Sequence, residues 1–171
     1  MVVIPLHHQG SQLPDTESQQ SYFEAQIAIA KTAGLPLLLH IRKANDEVWS
    51  TLRRLGFPHG GIAHAFNGSV EQAQRLVDLD FAIGIGGTLT YDRAKRVRRV
   101  AAELPLSALV LETDSPDIPM AGHDRHVRNS PEYLPEVLDV LAAVRSESRE
   151  ELAIATTANA QRIFGARLGL A

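Results

Sequence analysis

The chain has 171 residues, of which 44% are hydrophobic and 22% are charged, a composition typical of one globular domain rather than a disordered chain. It contains no cysteine, which excludes disulfides, thiolate metal ligands and cysteine nucleophiles and fits a reducing compartment. The net charge of −3 gives no overall attraction to nucleic acid, and with no export signal or membrane span in view we expect one cytoplasmic domain over residues 1–171.

The first predicted helix runs from Thr16 to Gly34. Phe23 and Ile27 recur at helical spacing on its apolar face, and Gly34 suits a helix carboxyl terminus. Thr16 and Gln19 have the spacing of a capping box, in which each residue satisfies a free backbone N–H of the first turn. These end signals predict that the helix begins near Thr16 and ends at Gly34.

Apolar runs then alternate with amphipathic segments along the chain. Four runs predict strands: LPLLLHI at 35–41, GIAHAF at 61–66, FAIGIGG at 81–87 and ALVLET at 108–113. Helices are predicted at 46–55, 69–77, 92–104, 132–145 and 148–164, with capping-box pairs at Ser69 and Gln72 and at Ser148 and Glu151. This alternation is typical of repeated βα units around a parallel sheet, whose buried strands read as near-continuous apolar runs.

The number of strands limits the fold. Four strands, with VVIPL at 2–6 as a fifth, are too few for a closed eight-stranded barrel of about 250 residues. An incomplete TIM-barrel-like α/β fold and a doubly wound open sheet both accept this count, although the glycine-rich phosphate loop of the latter is absent after the first strand. Gly84, Gly86 and Gly87 predict a close backbone approach at the carboxyl end of the predicted strand at 81–87.

Three side chains that can bind metal lie at or near the carboxyl ends of apolar runs: His40, His64 and Asp114. In α/β barrels the loops at that end hold the chemistry, and imidazole and carboxylate ligate zinc and related divalent cations. Asp114 alone would also suit a helix N-cap, because Asp is a favoured capping residue. Together the three residues predict a metal-dependent hydrolase.

Six motifs in this order resemble the TatD family of metal-dependent hydrolases, which are amidohydrolase-like barrels: LLLHIRKA, GGIAHAFNGS, FAIGIGGTLTY, LVLETDSPD, RHVRNSPEYLP and ATTANAQRIFG. The resemblance runs from about Gln19 to Gly165. It implies two divalent cations, with Zn, Mg and Mn not distinguished, and phosphodiester hydrolysis as a deoxyribonuclease acting on DNA. It further implies that His40 and His64 ligate one metal, and that Asp114 ligates the other and serves as general base.

The amino-terminal residues depart from that family. TatD proteins begin with a strand carrying His-x-His, and a later strand carries a Glu that bridges both metals. Residues 1–15 match neither motif, and the adjacent His7 and His8 would point to opposite faces of a strand. We therefore expect a chain without the first third of the barrel, with a partial metal site, weak activity and exposed sheet edges that favour self-association.

Four further residues are candidates for the site. Arg42, two residues after the first metal-binding histidine, is expected either to bind a substrate phosphate or to form a structural salt bridge. Glu112 is expected either to ligate metal or to accept a hydrogen bond from a ligand. His123 and His126 lie in the loop that follows the last strand, where a histidine either contacts the site or is solvated.

Other motif residues are expected to have structural roles. The basic run RAKRVRR at 93–99 contains Val97 within a buried stripe, so its charges are interpreted as a solvated helix face rather than a DNA contact. Arg128, Asn129 and Pro131 are expected to stabilise the loop over the site. Asn159 and Phe164, in the last helix, are expected to pack against the rest of the domain.

Three functions remain open from the sequence. The first is a TatD-type phosphodiesterase or DNase. The second is a catalytically inactive remnant or interaction protein, because the His-x-His and bridging Glu motifs are absent. The third is a metal-dependent hydrolase that acts on a different bond, since related barrels hydrolyse amides, esters or lactones. None of these requires a membrane.

Overall fold

A computed structural model describes residues 2–4, 15–124 and 126–168 of the chain. Within these residues five parallel strands form one sheet in the order β1-β2-β3-β4-β5. The strands are β1 Val2–Ile4, β2 Leu37–Ile41, β3 Gly61–His64, β4 Phe81–Ile85 and β5 Leu109–Leu111. The helices are α1 Thr16–Ala33, α2 Asn45–Leu55, α3 Val70–Val77, α4 Lys95–Glu103, α5 Leu134–Val144 and α6 Arg149–Leu168.

The strand order distinguishes the two folds left open by the sequence. A doubly wound sheet reverses its strand order at a switch point, whereas here each strand pairs with its successor in the chain. This order is that of consecutive βα units in a barrel wall. The predicted parallel α/β arrangement is confirmed. The histidines of the amino-terminal segment, His7 and His8, lie outside the described residues.

Both faces of the sheet carry buried apolar side chains. Leu37 and Leu39 of β2 are almost fully buried and belong to the same core cluster as Phe23 and Ile27 of α1. On the opposite face a second cluster consists of Ile62, Ala82, Val110 and Ile163, with Leu38, Ala160 and Phe164 packed against it. Because successive strand residues alternate between these clusters, β2 to β5 are apolar except for His40 and His64 near the carboxyl ends of β2 and β3.

The helix ends test the predicted caps. The Ser69–Gln72 capping box is confirmed, since Gln72 N donates to Ser69 Oγ at 3.2 Å and Ser69 N donates to Gln72 Oε1 at 3.1 Å. The predicted box at Thr16 is wrong. Asp15 is the N-cap, and its carboxylate accepts a hydrogen bond from Ser18 N at 2.8 Å, so Thr16 already lies inside the helix.

Short 3-10 turns adjoin β4 and β5, which are shorter than the predicted strands at 81–87 and 108–113. Gly87–Thr90 follows β4, and Leu106–Ala108 precedes β5. Asn159 of α6 fixes the second turn, because its Nδ2 donates to the carbonyl oxygens of Leu106 at 2.9 Å and Leu109 at 2.8 Å. The packing role expected for Asn159 and Phe164 is thus seen where α6 meets the amino end of β5.

The basic segment on α4 has the predicted solvated face. Val97 and Val100 are 5% and 0% exposed, whereas Lys95 and Arg96 are exposed. Arg99 forms an ion pair with Glu103 at 2.6 Å on the same helix. Among the described residues, no helix is both long and apolar enough to cross a membrane.

Candidate metal centre

The carboxyl ends of β2, β3 and β5 bring the three predicted ligands into one place. His40 lies opposite His64 in the β2–β3 register, and the two ring centroids are 4.6 Å apart. Asp114 follows β5, and its Oδ1 lies 3.7 Å from His64 Nε2. Residues distant in sequence therefore converge because parallel strands place their carboxyl ends at the same edge of a sheet.

His40 presents a nitrogen that the rest of the described protein does not satisfy. Its Nε2 atom is buried and has no hydrogen-bond partner among the described residues. Buried polar atoms in folded proteins almost always have a partner, since leaving one without costs free energy. A neutral imidazole nitrogen is also a common metal ligand, so this atom has the chemistry that a divalent cation requires.

Glu112 lies between the metal candidates and the β3 loop. Its Oε2 is 3.2 Å from His64 Nε2, and its Oε1 accepts a hydrogen bond from Ala65 N at 2.6 Å. Burial and, to a smaller extent, the charge of Asp114 raise the pKa of the Glu112 carboxyl to about 8, against the opposing effect of the Ala65 hydrogen bond. Glu112 therefore contacts the His64 ring from a largely desolvated position.

Two glycines of the β4 segment leave space for this carboxyl group. A Cβ atom at Gly84 would lie 2.6 Å from Glu112 Oε2 and 3.1 Å from the Ala63 carbonyl oxygen, and one at Gly86 would lie 3.4 Å from Glu112 Cγ. The predicted close approach is confirmed at both positions, where the Glu112 side chain and a backbone carbonyl oxygen both lie nearby. At Gly87 the approaching group is backbone, the carbonyl oxygen of Ile118 at 2.9 Å from an added Cβ.

The backbone at Ala65 is the feature that the sequence did not indicate. Its φ of 45° lies in the left-handed region, which a non-glycine residue adopts at a cost of about 1–3 kcal/mol. This conformation accompanies the hydrogen bond from its N–H to Glu112. An alanine gives no signal of such a turn, so only the three-dimensional structure assigns it to the site.

The environment favours the neutral, metal-binding form of His64. Burial lowers the pKa of His64, and the neighbouring His40 lowers it further. Asp114 and a backbone hydrogen bond with Thr113 act in the opposite direction but do not reverse the shift. Because a histidine must be deprotonated to ligate a metal, the lowered pKa suits that role.

The donors fit a divalent cation in chemistry. Two imidazoles and a carboxylate are ligands that zinc and related metals accept, and one of the imidazole nitrogens is buried without a partner. As the side chains stand, no group of three or more His, Asp or Glu within the described ranges is arranged to hold an ion. His40, His64 and Asp114 are the residues that would hold one.

Comparison with known proteins identifies the family of this chain. The model of a family described as TatD related DNase matches residues 5–165. The chain belongs to the TatD family. The match begins ten residues before residue 15, the boundary expected from the sequence motifs.

Several TatD relatives are similar over most of the chain. An uncharacterized metal-dependent hydrolase of Haemophilus influenzae is 44% identical over 146 residues, which cover 85% of this chain and 55% of the relative. A Klebsiella pneumoniae protein named 3'-5' ssDNA/RNA exonuclease TatD is 33% identical, covering 87% of this chain and 59% of the relative. The chain thus spans less than two thirds of the curated relatives that it matches.

A solved structure confirms the fold. The crystal structure of YjjV, a TatD homologue from Escherichia coli, superposes with a TM-score of 0.90 at 39% identity, covering 96% of this chain and 62% of that one. The TIM-barrel-like prediction is therefore confirmed, and the open five-stranded sheet is an incomplete barrel.

The other candidate residues of this TatD chain differ in their contacts. Arg42 follows β2 with an exposed side chain and makes no hydrogen bond or ion pair with another described residue. His123 instead has partners: its Nε2 is 2.9 Å from Glu136 Oε2, and its ring packs edge-on against Tyr133. His126 is exposed.

Asn129 fixes the loop that follows Asp114. It is 6% exposed, its Nδ2 donates to the carbonyl oxygens of Asp117 at 2.8 Å and Ile118 at 3.0 Å, and its N–H donates to Pro116 O at 3.0 Å. The stabilising role predicted for Asn129 is confirmed. The loop next to the candidate metal centre is therefore held by one buried amide.

Proposed function

We propose that this chain carries a metal-dependent hydrolase site of the TatD type and cleaves phosphodiester bonds in DNA. The observation that carries the proposal is the convergence of His40, His64 and Asp114, with His40 Nε2 buried and without a protein partner among the described residues. Further support comes from the family, described as DNases, and from the Klebsiella relative named as an exonuclease.

Each residue has a defined task in this proposal. His40, His64 and Asp114 would hold a divalent cation, which when bound would act as a Lewis acid towards the phosphoryl oxygen and lower the pKa of the attacking water. Asp114, whose side chain is 37% exposed, accepts the proton of that water as general base. The water oxygen would form the new P–O bond as the bond between phosphorus and the ester oxygen breaks, and that oxygen would take a proton from solvent and leave as an alcohol.

Arg42 and Glu112 act around this centre. Arg42 is exposed beside His40 at the carboxyl end of β2, where its guanidinium can bind a phosphate oxygen of the substrate. Glu112 holds the His64 ring and the Ala65 N–H. We assign Glu112 to positioning rather than to ligation.

A second candidate is a chain that binds a partner without catalysis. The strand beside His40, β1, consists of valine and isoleucine and so contributes no metal donor. As noted above, the described side chains also form no three-ligand group. These observations favour a weak site, and they make the measurement of metal-dependent turnover decisive.

The test uses the purified chain, stripped with chelator and then supplied with Zn²⁺, Mn²⁺ or Mg²⁺ in turn. Initial rates are measured on a DNA oligonucleotide, on bis(p-nitrophenyl) phosphate and on a lactone. We expect metal-dependent phosphodiester hydrolysis that falls at least about 100-fold in Asp114→Asn. Asp117→Asn is the matched control, because Asp117 is an exposed aspartate of the same loop.

Three results would reject parts of this proposal. Equal rates in Asp114→Asn and in excess chelator would reject metal-dependent catalysis. A preference for the lactone would replace phosphodiesters as the substrate class. Retention of full metal affinity in a folded His40→Ala variant, measured by calorimetry, would remove His40 from the ligand set.

The proposal also includes self-association and a cytoplasmic location. The strands at the two margins of the described sheet, β1 and β5, each pair with a single neighbour, and unpaired strand edges are templates for association between chains. Light scattering after size-exclusion chromatography should show dimers or larger species. A monomer at about 100 μM would reject the self-association.

A further inference from the structure

A groove adjoins the candidate metal centre on the side of the turn after β4. It has a volume of about 580 Å³, within the range of about 300–1,000 Å³ that is usual for ligand sites. Its lining residues are Thr88, Tyr91, Arg93, Ala94, Ile118 and Pro119. Two of them, Arg93 and Ala94, belong to the basic run 93–99, but they precede α4 and so do not lie on its solvated face.

The groove shares two lining residues with a small cavity at the candidate metal centre. Thr88 and Ile118 also line a small cavity whose walls include Glu112 and Asp114. A ligand segment in the groove would therefore contact residues that also border the cavity of Asp114, the residue proposed as general base. This arrangement fits a polymeric substrate whose next unit extends from the cleaved bond.

Hydrogen bonds hold the two walls of the groove together. The Tyr91 hydroxyl donates to the Pro119 carbonyl oxygen at 2.8 Å. The Thr90 hydroxyl oxygen accepts from Ala121 N at 2.7 Å. These bonds tie the turn after β4 to the loop after β5, so the groove is formed in advance and little ordering is required on binding.

One cation of the groove has no acidic partner. Arg93 is exposed, and its guanidinium carbon lies 5.4 Å from the centroid of the Tyr91 ring. Within the described part of the chain it forms no ion pair, whereas its neighbour Arg98 lies 3.7 Å from Asp92. A guanidinium stacked on an aromatic ring still offers its N–H groups at the edge, where they suit a phosphate.

The opposite wall is apolar and partly open to solvent. Ile118 is 38% exposed and has a left-handed φ of 48°, and its carbonyl oxygen is held by Asn129 Nδ2 at 3.0 Å. Pro119 adjoins it in the lining. An apolar side chain fixed in an exposed position provides a packing surface for a flat base.

From this arrangement we propose that the groove binds the nucleotide next to the cleaved phosphodiester in a single-stranded nucleic acid. Arg93 binds the phosphate of that nucleotide, and its base packs on Ile118 and Pro119. A duplex is disfavoured because its bases are stacked and paired, which leaves no free base for the apolar wall. The position of this nucleotide beside the cleaved bond rests on the proposed phosphodiesterase function. The test does not, because it measures binding alone.

The test measures binding without cleavage. Fluorescence anisotropy of a labelled oligo-dT of ten nucleotides is recorded in excess chelator at several salt concentrations. We expect Arg93→Ala to raise the Kd about tenfold and to reduce the slope of log K against log salt by about 0.7, the value for one phosphate contact on a single strand. Arg93→Lys should restore the slope, because the charge is kept.

The matched control is Arg96→Ala, another exposed arginine of the same segment that does not line this groove. It should change Kd less than twofold. Ile118→Ala should raise Kd several-fold with an unchanged salt slope, because it removes packing and no charge. Circular dichroism of each variant confirms that it is folded.

The outcomes separate this inference from the proposed function. Absent binding, an unchanged Arg93→Ala variant, or an equal effect of Arg96→Ala would overturn the groove assignment. Metal-dependent hydrolysis of bis(p-nitrophenyl) phosphate with such a result would leave the proposed function standing. Arg93-dependent binding by a chain that hydrolyses nothing would support the groove and reject the phosphodiesterase.

Discussion

Replacing Glu112 with glutamine should change how the stability of the metal-free chain depends on pH. The side chain is 12% exposed, lies 3.2 Å from His64 Nε2 and accepts a hydrogen bond from Ala65 N at 2.6 Å. Glutamine has nearly the same shape and keeps an oxygen for the Ala65 N–H. It cannot ionise, so the comparison isolates the cost of the buried charge.

The direction follows from the pKa of the carboxyl group. It is raised from 4.5 to about 8 in the folded chain, so the folded state binds more protons than the unfolded state between these values. The free energy of unfolding therefore falls as pH rises through this window. Relative to pH 4, the raised pKa lowers the free energy of unfolding by about 3 kcal/mol at pH 7 and by about 5 kcal/mol at pH 8 and above.

His64 acts in the opposite direction but does not affect the comparison. Its pKa is lowered in the folded chain, so its contribution to stability grows as pH rises towards its unfolded value of 6.5 and is lost as pH falls through the lower folded value. The ring is present in both proteins. Subtracting the two pH profiles removes most of this contribution.

The assay is urea unfolding in chelator at pH 5, 6, 7, 8 and 9, followed by circular dichroism. Glu112→Gln should become more stable than the unmodified chain by a margin that grows between pH 5 and pH 8 and is then constant. Glu150→Gln, at an exposed position of α6, should show no such growth. A difference between Glu112→Gln and the unmodified chain that is the same at all five pH values would refute the assignment of a buried, raised-pKa carboxyl.

Three further substitutions test the packing around the site. Gly84→Ala places a methyl group 2.6 Å from the Glu112 carboxyl oxygen and should lower the free energy of unfolding by about 1–3 kcal/mol; Gly165→Ala, whose nearest neighbour is at 3.7 Å, should not. Asn159→Ala removes two buried hydrogen bonds and should cost about 2–3 kcal/mol, so a change below 0.5 kcal/mol in thermal unfolding would contradict its role. Arg145→Ala removes guanidinium hydrogen bonds to the carbonyl oxygens of Ala101 at 2.7 Å and Leu104 at 2.9 Å and should lower the free energy of unfolding in urea by about 2–4 kcal/mol. An unchanged value would contradict this role.

The sequence predicted the elements and the site best where local chemistry alone decides. Gly34 and Gly56 end helices with φ of 63° and 56°, a conformation that glycine adopts without a steric penalty. His40 and His64 end strands that proved to be parallel neighbours. Their convergence needed only the rule that carboxyl ends of parallel strands share an edge.

Features that depend on distant neighbours were not predictable in the same way. The left-handed φ of Ala65 accompanies a hydrogen bond to Glu112, 47 residues away. Glu112 itself has two roles compatible with its sequence position, and only its contact with His64 and the space at Gly84 favour positioning. Asp and Thr are both favoured N-cap residues, so the local sequence does not decide between Asp15 and Thr16, and Asp15 is the N-cap in the structure.

The distribution of donors over the strands predicts the number of metals. β2, β3 and the segment after β5 contribute His40, His64 and Asp114, whereas β4 contributes glycine at the corresponding edge. β1 places Val3 in register with His40, so the neighbouring strand brings no donor. Since the described residues offer ligands for a single ion, we expect them to hold no more than one divalent cation, measured by mass spectrometry of the chain and of His40→Ala after dialysis against Zn²⁺. Loss of two ions per chain in a folded His40→Ala variant would contradict this reasoning, because both ions would then depend on the described donors.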